Sequence, residues 1–284
     1  MCDTAVMNAG TCLCGALRYE VDAETSQLTH CHCSLCRKHH GAPFASFVEV
    51  SQHALRWLSG EDQLTTFSPT SSRERRSCRG CGAVAPTWVG DRFLIPAGNL
   101  SGNLTQATGR HVFVAGKPAW HTIADTLPQY SGPAPDWTWH EERAPVSTVE
   151  GEISGSCLCG DVSFAVAGNP ERWMQCHCSR CRRARSAAHG SNAFYSLARF
   201  SWRTGRENLA SYHPPDAQRF ATSFCVRCGG GAPVERINVQ FVLVPAALFD
   251  ADPGSGPEAH IHMASRASWD VIADALPQFA ELPS

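Results

Sequence analysis

The sequence predicts a mainly β protein that consists of two tandem copies of one cysteine-rich domain. Three observations predict this class: an internal repeat, clustered cysteines, and short segments in which apolar and polar residues alternate. The stretch GTCLCGALRYEV at residues 10–21 returns as GSCLCGDVSFAV at residues 155–166. Three later landmarks return in the same order, at offsets of 145, 147 and 149 residues: HCHCSLC as QCHCSRC, CRGCG as CVRCG, and AWHTIADTLPQY as SWDVIADALPQF. Four landmarks in one order indicate a duplicated domain.

The repeat divides the 284 residues into two domains, the number that the chain length favours. We expect the first domain at residues 8–130 and the second, partly degenerate copy at residues 153–280. Residues 131–152 between them are rich in proline, glycine and polar residues, which is typical of a linker. Trp137 and Trp139 within it predict that the linker packs against the protein.

Short strands are predicted where apolar residues recur at every second position. The segments ALRYEV (16–21) and DVSFAV (161–166) follow the two CLCG motifs and keep this period, so each predicts a half-buried strand. FASFVEV (44–50), FSWRTG (200–205) and VQFVLVP (239–245) are rich in β-branched and aromatic residues and predict further strands. The predicted class is therefore mainly β, with short sheets.

Only the ends of the two copies show the periodicity of a helix. Apolar residues there are spaced i, i+3, i+4 and i+7, and Pro128 and Pro277 then end the predicted helices. We expect these residues to belong to the core: Trp120, Ile123, Ala124 and Leu127 in the first copy, and Trp269, Ile272, Ala273 and Leu276 in the second.

Charge and hydropathy exclude several classes of function. The net charge is −2, and 18% of the residues are charged, so no strong field favours nucleic acid or an anionic membrane. The basic run CRRAR at residues 181–185 is typical of a solvated turn. No apolar run approaches the length of a membrane helix, and the first residues lack the features of a signal peptide. We expect a cytoplasmic protein that binds neither nucleic acid nor membrane.

Fourteen of the fifteen cysteines fall into clusters whose spacing favours metal binding over disulfides. Cys2 is left over and is expected to be a free thiol. A C-x-C pair on an extended segment and a later C-x-x-C-G pair can close one tetrahedral site, with Gly82 or Gly229 turning the chain under the metal. The predicted closed sites are Cys12, Cys14, Cys78 and Cys81, and their counterparts Cys157, Cys159, Cys225 and Cys228.

Three cysteines remain in each copy: Cys31, Cys33 and Cys36, and Cys176, Cys178 and Cys181. We call them the first trio and the second trio. Three thiolates can hold zinc with one coordination position open, which distinguishes a catalytic zinc site from a structural one. Two alternatives stay open: a histidine among His32, His39, His40 and His177 completes the shell, or iron–sulfur clusters replace zinc.

The order C-x-C, C-H-C-x-x-C-R, C-x-x-C-G and W-x-x-I-x-D-x-L-P resembles the glutathione-dependent formaldehyde-activating enzyme family, which includes centromere protein V, over nearly all of both copies. The resemblance implies two β-tent domains of stacked antiparallel sheets. It also implies a structural zinc ion on the outer cysteine pairs of each copy and a second zinc ion on the central three. The activity that it implies is the addition of glutathione to formaldehyde, a carbon–sulfur lyase reaction run in reverse.

From these observations we expect a zinc-dependent carbon–sulfur lyase acting on the adduct of a small-molecule thiol, such as glutathione, with a small aldehyde or other electrophile. A non-enzymatic zinc scaffold that binds a partner is the alternative. The first copy has Gly41, Pro43 and Gly98, whereas the second has Arg185 and Ala187 after its trio and Ala247 in place of the last glycine. Small residues permit close approach of a ligand. We therefore expect catalysis at the first trio, Cys31, Cys33 and Cys36, with an open-site zinc ion there.

Overall fold

The structure, a computed structural model, describes residues 7–22, 27–70, 73–102, 104, 108–123, 125–137, 151–272 and 274–283. Three features of the sequence lie outside these residues: Cys2, Trp139, and the alanines at positions 124 and 273. The described chain is mainly β, as the sequence predicts. Each copy contains one α-helix of seven residues, and neither helix is long enough to cross a membrane.

The first copy contributes ten strands and one helix to the described part of the chain. In order they are β1 (Met7–Thr11), β2 (Arg18–Asp22), β3 (Gln27–Cys31), α1 (Ser34–His40), β4 (Ala45–Ser51), β5 (Leu55–Ser59), β6 (Leu64–Thr70), β7 (Arg73–Cys78), β8 (Thr87–Val89), β9 (Arg92–Pro96) and β10 (Thr108–Val112).

The second copy repeats this order and adds one short strand. Its elements are β11 (Glu152–Ser156), β12 (Ser163–Ala167), β13 (Arg172–Cys176), α2 (Ser179–Arg185), β14 (Gly190–Ser196), β15 (Phe200–Thr204), β16 (Leu209–Tyr212), β17 (Thr222–Cys225), β18 (Gly231–Ala232), β19 (Val234–Arg236), β20 (Phe241–Pro245) and β21 (Ala259–Ile261).

Both copies build the same pair of principal sheets. A three-stranded antiparallel sheet has the order β1-β2-β5 in the first copy and β11-β12-β15 in the second. A five-stranded sheet has the order β10-β3-β4-β9-β8 and β19-β20-β14-β13-β21. The five-stranded sheets are mixed, because β10 runs parallel to β3 and β21 runs parallel to β13. The resemblance implied antiparallel sheets only, and the structure shows one parallel pair of strands in each copy besides the antiparallel ones.

The alternating segments form strands with the predicted buried faces. Tyr19 and Val21 on β2 are buried, as are Phe164 and Val166 on β12. The three β-branched and aromatic segments also form strands, as β4, β15 and β20. Apolar side chains at every second position pack one face of each strand into the core, which is the origin of the pattern.

The helices predicted at the ends of the copies are absent from the described residues, so that prediction is wrong. The chain there runs through turns and bends, and single parallel bridges join His111 to Gln129 and His260 to Gln278. Asp125 accepts hydrogen bonds from the backbone of Leu127 and from His111, which competes with a helical path. Trp120, Ile123 and Leu127 are only partly buried, whereas Trp269 is buried. The i, i+3, i+4 and i+7 spacing of apolar residues was therefore wrongly interpreted as the period of a helix.

The two seven-residue helices follow the trios and were not predicted. Cys33 caps α1 by accepting a hydrogen bond from the backbone N–H of Cys36, and Cys178 caps α2 in the same way. A left-handed residue, Gly41 or Ser186, ends each helix after a last turn rich in basic side chains. In the first copy, basic residues followed by Gly41 are a signal for a helix end that the sequence already carried, whereas the second copy has Ser186 at that position.

The two copies share one core. One apolar cluster joins Cys31 and Leu35 of the first copy to Leu158 and Val162 of the second. The end segments cross between the copies, because Trp120 packs on Trp173 with ring centroids 5.0 Å apart. Trp269 in turn joins a cluster made largely of first-copy residues. The duplication therefore produces a reciprocal interface between the copies.

The described part of the linker packs on the first copy. Trp137 is buried in the same apolar cluster as the first trio, and its indole N–H donates to Glu49 at 3.5 Å. Asp136 forms an ion pair with Arg110, whose guanidinium also lies over the Trp137 ring, 5.4 Å from its centroid. The packing predicted for Trp137 is confirmed.

Candidate metal centres

The structure brings the four thiols of the predicted first closed site together. The Cys12 sulfur lies 3.5 Å from that of Cys14 and 3.7 Å from that of Cys78, and Cys14 lies 3.6 Å from Cys78. Cys81 completes a group whose sulfurs all lie within 4.8 Å of one another. The group joins the end of β1 to the turn after β7, more than sixty residues along the chain.

A turn, and not the expected extended segment, positions the C-x-C pair. The backbone N–H of Gly15 donates to the carbonyl of Cys12 at 3.2 Å, which closes the turn. Alternate residues of an extended strand stand about 6.6 Å apart, too far for neighbouring ligands of one metal ion. The C-x-x-C-G halves are as predicted: Gly82 and Gly229 have φ of 71° and 68°.

The second closed group repeats the first. The sulfurs of Cys157 and Cys159 are 3.5 Å apart, and those of Cys159 and Cys225 are 3.8 Å apart. Cys228 is the fourth member. The backbone N–H of Val162 donates to the Cys157 sulfur at 3.4 Å, a contact that favours thiolate at that position.

The sulfur separations fit a tetrahedral zinc ion. Zinc–sulfur bonds of about 2.3 Å place the sulfurs of a tetrahedron about 3.8 Å apart. Hydrogen bonds from Cys12, and then from Cys78 and Cys81, hold the pKa of Cys14 far below its usual range, whereas the hydrogen bond to Cys12 raises the pKa of Cys78 and of Cys81. By their sulfur separations, both closed groups can hold a zinc ion.

The trios are compact groups at the N-termini of α1 and α2. In the first trio, the Cys31 and Cys33 sulfurs are 3.5 Å apart, and in the second trio those of Cys176 and Cys178 are also 3.5 Å apart. The other members, Cys36 and Cys181, lie within 4.8 Å of their partners. Hydrogen bonds from Cys176 and then Cys181 lower the pKa of Cys178 to about 2. Each trio is suited to hold one ion with three thiolates.

No histidine of the described residues joins a trio as a fourth ligand. His39 bonds to the Ser77 hydroxyl and His40 to the Arg185 carbonyl, both at 2.9 Å. His32 contacts His111 at 2.9 Å, and His177 contacts His260 at 2.8 Å. In the described chain these four side chains support the surrounding structure and do not complete the shells.

The glycines that distinguish the first copy face the second copy. A Cβ added to Gly98 would lie 2.2 Å from the backbone nitrogen of Ala187. Gly41 and Ser186 end their helices in the same left-handed region, with φ of 62° and 51°, so Ser186 and not Arg185 is the counterpart of Gly41. These glycines serve contacts between the copies, which corrects the expectation that they admit a ligand.

Surroundings differ sharply between the trios. Cys31, Cys33 and Cys36 are 0%, 1% and 2% exposed, and Arg75 donates to the Cys36 sulfur at 3.7 Å. Hydrogen bonds from Cys31 and Cys33 lower the pKa of Cys36, and the charge of Arg75 adds to the effect. At an offset of 147 residues the second copy has Phe220 and Thr222 in place of Arg73 and Arg75.

A cavity of about 860 Å³ lies beside the second trio. All three of its cysteines belong to the lining, and Cys176 and Cys181 are 6% and 9% exposed. Five arginines and two carboxylates contribute to the wall: Arg180, Arg183, Arg185, Arg219 and Arg236, and Asp216 and Glu281. The cavity therefore carries an excess of positive charge. It is large enough for a ligand of the size of a tripeptide.

His262 is a functional candidate that the sequence did not reveal. It lines the same cavity, and its Nδ1 lies 2.8 Å from the Glu281 carboxylate. Nδ1–H donates to this carboxylate, so Nε2 is the nitrogen that can accept a proton. His262 follows β21 directly in a left-handed conformation, with φ of 57°. No cysteine motif adjoins it in sequence, so spacing could not indicate it.

Comparison with known proteins identifies the family of this chain. The family model of the glutathione-dependent formaldehyde-activating enzyme matches residues 7–115 and 152–265. A crystal structure of a Rhodobacter sphaeroides protein is similar at 25% sequence identity, over 33% of this chain and 88% of that chain, with a TM-score of 0.30. The two family matches cover most of both copies, and the chain belongs to the glutathione-dependent formaldehyde-activating enzyme family.

Proposed function

We propose that this chain is a zinc-dependent carbon–sulfur lyase that acts on the adduct of a thiol with a small aldehyde, and that the second trio carries the reaction. The observation that carries the proposal is the arginine-lined cavity of about 860 Å³ that opens on Cys176, Cys178 and Cys181. Glutathione is the thiol that fits best, since the chain belongs to a family whose description names it.

Electrostatics favour an anionic thiol in this cavity. Glutathione has two carboxylates and one ammonium group at neutral pH, and arginine is well suited to bind carboxylates through two hydrogen bonds. Arg180 is already paired with Asp216 at 2.8 Å. Among the described residues, the other four arginines of the wall, Arg183, Arg185, Arg219 and Arg236, form no ion pair with an acidic side chain, so positive charge remains for the ligand.

Zinc bound by three thiolates would stabilise a further sulfur as thiolate at its open position. The residues of this chain hold the trio in place: β13 and the first turn of α2 position the sulfurs, and Cys178 also caps that helix. In the synthetic direction the thiol adds to the carbonyl carbon. A carbon–sulfur bond forms, the carbonyl π bond breaks, and the thiol proton ends on the carbonyl oxygen. His262 Nε2 can accept that proton and return it.

The first trio remains the candidate that the sequence favoured. Its three cysteines are more deeply buried, and Arg75 and Trp137 occupy its surroundings. We propose that Cys31, Cys33 and Cys36 hold a zinc ion with a supporting role. Paired variants of the two trios decide between these assignments.

The test is glutathione binding by calorimetry and adduct formation by ¹³C NMR with labelled formaldehyde, on zinc-loaded protein. We expect Cys181→Ser to abolish both and Cys36→Ser to leave most of each. Arg219→Ala should weaken binding about tenfold, whereas Arg203→Ala, an exposed arginine paired with Glu152 outside the cavity, should not. Loss of glutathione binding only in Cys36→Ser would assign the reaction to the first trio. No binding in wild type would favour the scaffold alternative.

Metal identity has its own test. The four sulfurs of each closed group all lie within 4.8 Å of one another, which supports a single ion, because the ligands of a polynuclear iron–sulfur cluster are separated by the cluster itself. We expect the purified protein to be colourless and to contain zinc. Visible absorption that bleaches with dithionite would indicate iron instead.

A further inference from the structure

A second cavity, lined by residues of both copies, has a wall that is rich in imidazoles and carboxylates. Its volume is about 40 Å³. His111, His121 and Asp125 of the first copy line it together with His189, His260 and Asp270 of the second. This is enough space for about two or three water molecules. The proposed reaction uses none of these residues.

Three ligand atoms converge at one side of this cavity. The Asp270 Oδ2 atom lies 3.2 Å from His177 Nδ1 and 3.5 Å from His189 Nδ1. The three residues are 0% to 5% exposed. His177 Nδ1, both ring nitrogens of His189 and Asp270 Oδ2 are buried without a hydrogen bond of acceptable geometry. Orphaned polar atoms of this kind are costly, so a cluster of them indicates a missing partner.

A count of protons shows what the partner must be. Asp270, His177, His260 and Asp274 form a chain with three contacts: 3.2 Å, 2.8 Å and 3.0 Å. Each contact joins two atoms with lone pairs, so each needs one proton or other cation between them. Two neutral imidazoles supply only two protons. The chain therefore needs one additional cation.

Hydrogen bonding places that cation beside Asp270. His260 Nε2 faces the Asp274 carboxylate and therefore carries a proton, which leaves His260 Nδ1 as the acceptor for His177 Nε2–H. His177 Nδ1 then presents a lone pair to Asp270 Oδ2 and to the neighbouring His189. A metal-binding histidine commonly donates its other ring N–H to an acceptor that fixes the ring orientation, and His177 Nε2–H has His260 Nδ1 as that acceptor.

Geometry favours a metal ion over a third proton, because His177 Nδ1 and Asp270 Oδ2 lie 3.2 Å apart without hydrogen-bond geometry. Bonds of about 2.0 to 2.1 Å to nitrogen and oxygen place the ligands of a tetrahedral zinc ion about 3.4 Å apart. The observed separations of 3.2 and 3.5 Å bracket this value. Three ligand atoms leave at least one position open, and the cavity of about 40 Å³ supplies the space for exchangeable oxygen ligands such as water.

The first copy lacks these ligands at the corresponding positions. His32 corresponds to His177, but Phe44 replaces His189 at the offset of 145 residues, and His121 replaces Asp270 at the offset of 149. Phe44 and His121 pack with ring centroids 4.9 Å apart. The complete set of three ligands is thus a property of the second copy alone, and the first copy provides the natural replacements for His189 and Asp270.

We propose that His177, His189 and Asp270 form a third kind of metal centre, which binds one divalent transition-metal ion through two imidazoles and one carboxylate. Zinc and ferrous iron are the ions that such a ligand set takes. All three ligands belong to the second copy, so the ion would connect the end segment that carries Asp270 to His177 and His189 of the same copy and would hold small oxygen ligands in the cavity.

The test measures metal content and position in the full-length, zinc-loaded protein. Asp270→Asn and His189→Phe should each hold one metal ion fewer per chain than wild type, by elemental analysis after growth with zinc or iron. Phenylalanine is the first-copy residue at that position, so His189→Phe is the milder variant. Asp125→Asn is the matched control, because it removes a carboxylate from the same cavity and leaves the three ligands intact.

Crystals of the wild-type protein provide a readout that does not depend on variants. We expect an anomalous difference peak at the metal absorption edge between His177 Nδ1, His189 Nδ1 and Asp270 Oδ2, after soaking in cobalt(II). Cobalt bound there should lack the intense thiolate charge-transfer bands of the cysteine groups. Equal metal content in wild type and both variants, with no peak at this position, would mean that the additional cation is a proton and would overturn the proposal.

Discussion

The Lys38 ammonium group lies 2.6 Å from the Asp250 carboxylate, and each side chain is only 4% exposed. The same ammonium donates to the Leu248 carbonyl at 2.6 Å and to the Ser156 carbonyl at 3.1 Å. Lys38 belongs to α1 of the first copy, and its three partners belong to the second. One buried ion pair thus connects the helix that holds the first trio to the other half of the molecule.

Lys38→Met should destabilise the protein by about 3–5 kcal/mol, because it removes the buried cation that pairs with the Asp250 carboxylate. Denaturant unfolding of the zinc-loaded protein would measure it. The double variant Lys38→Met/Asp250→Leu should recover much of the loss. Arg56→Ala is the control, since Arg56 is 67% exposed in its pair with Glu20 and should contribute less than about 1 kcal/mol. Equal effects of Lys38→Met and Arg56→Ala would contradict the inferred interface.

Closed groups and trios should differ in their contribution to folding. Cys81→Ser should lower the melting temperature strongly, because a structural zinc ion supplies folding free energy of order 10 kcal/mol. Cys33→Ser should cost much less, since the trio closes only a short loop and serine can still cap α1. Thermal unfolding of the two variants compares them directly. A similar drop in melting temperature for both would refute this division.

Gly98→Ala should weaken the contact between the copies. The added Cβ would lie 2.2 Å from the Ala187 nitrogen, and the resulting strain should cost about 1–3 kcal/mol. Gly132→Ala is the matched control, because no atom lies within 4 Å of the Cβ position there. Unfolding by urea would measure both. Unchanged stability of Gly98→Ala would show that the neighbouring atoms of the interface can move to accommodate the added methyl group.

Stability should fall below neutral pH because of buried histidines. Burial lowers the pKa of His40 from its usual value of 6.5 to about 4. As the pH falls through this window, the unfolded chain takes up a proton that the folded chain does not, so folding is progressively disfavoured. The effect for this residue approaches about 3 kcal/mol at pH 4.

His40→Gln keeps a donor for the Arg185 carbonyl and removes the titration. The difference in unfolding free energy between wild type and His40→Gln should therefore change between pH 6.5 and pH 4, in favour of the variant at low pH. Acid release of zinc affects both proteins and cancels in this difference. His53→Gln, at an exposed position, is the control. If the difference in unfolding free energy between wild type and His40→Gln did not change with pH, protonation of His40 would be excluded as a cause of the acid destabilisation.

Much of the fold could be predicted because its signals are local. The alternation in residues 16–21 reports which face of β2 is buried, and the C-x-x-C-G motif reports the turn at Gly82. The helix prediction for the two end segments failed because it also relied on a local signal. Their apolar spacing identified residues that pack, but Trp120 packs on Trp173 of the other copy and not in a helix. Periodicity shows that a side chain is buried and does not show against what.

The sequence by itself determined the duplication, the mainly β class and the assignment of fourteen cysteines to four groups, because these follow from spacing and from the ligand preferences of metal ions. Only the tertiary structure decided which trio faces a cavity, and it brought His177 and Asp270 to 3.2 Å although 93 residues separate them. Such juxtapositions depend on how two copies pack together. Packing across an interface is set by three-dimensional complementarity that no single stretch of chain contains.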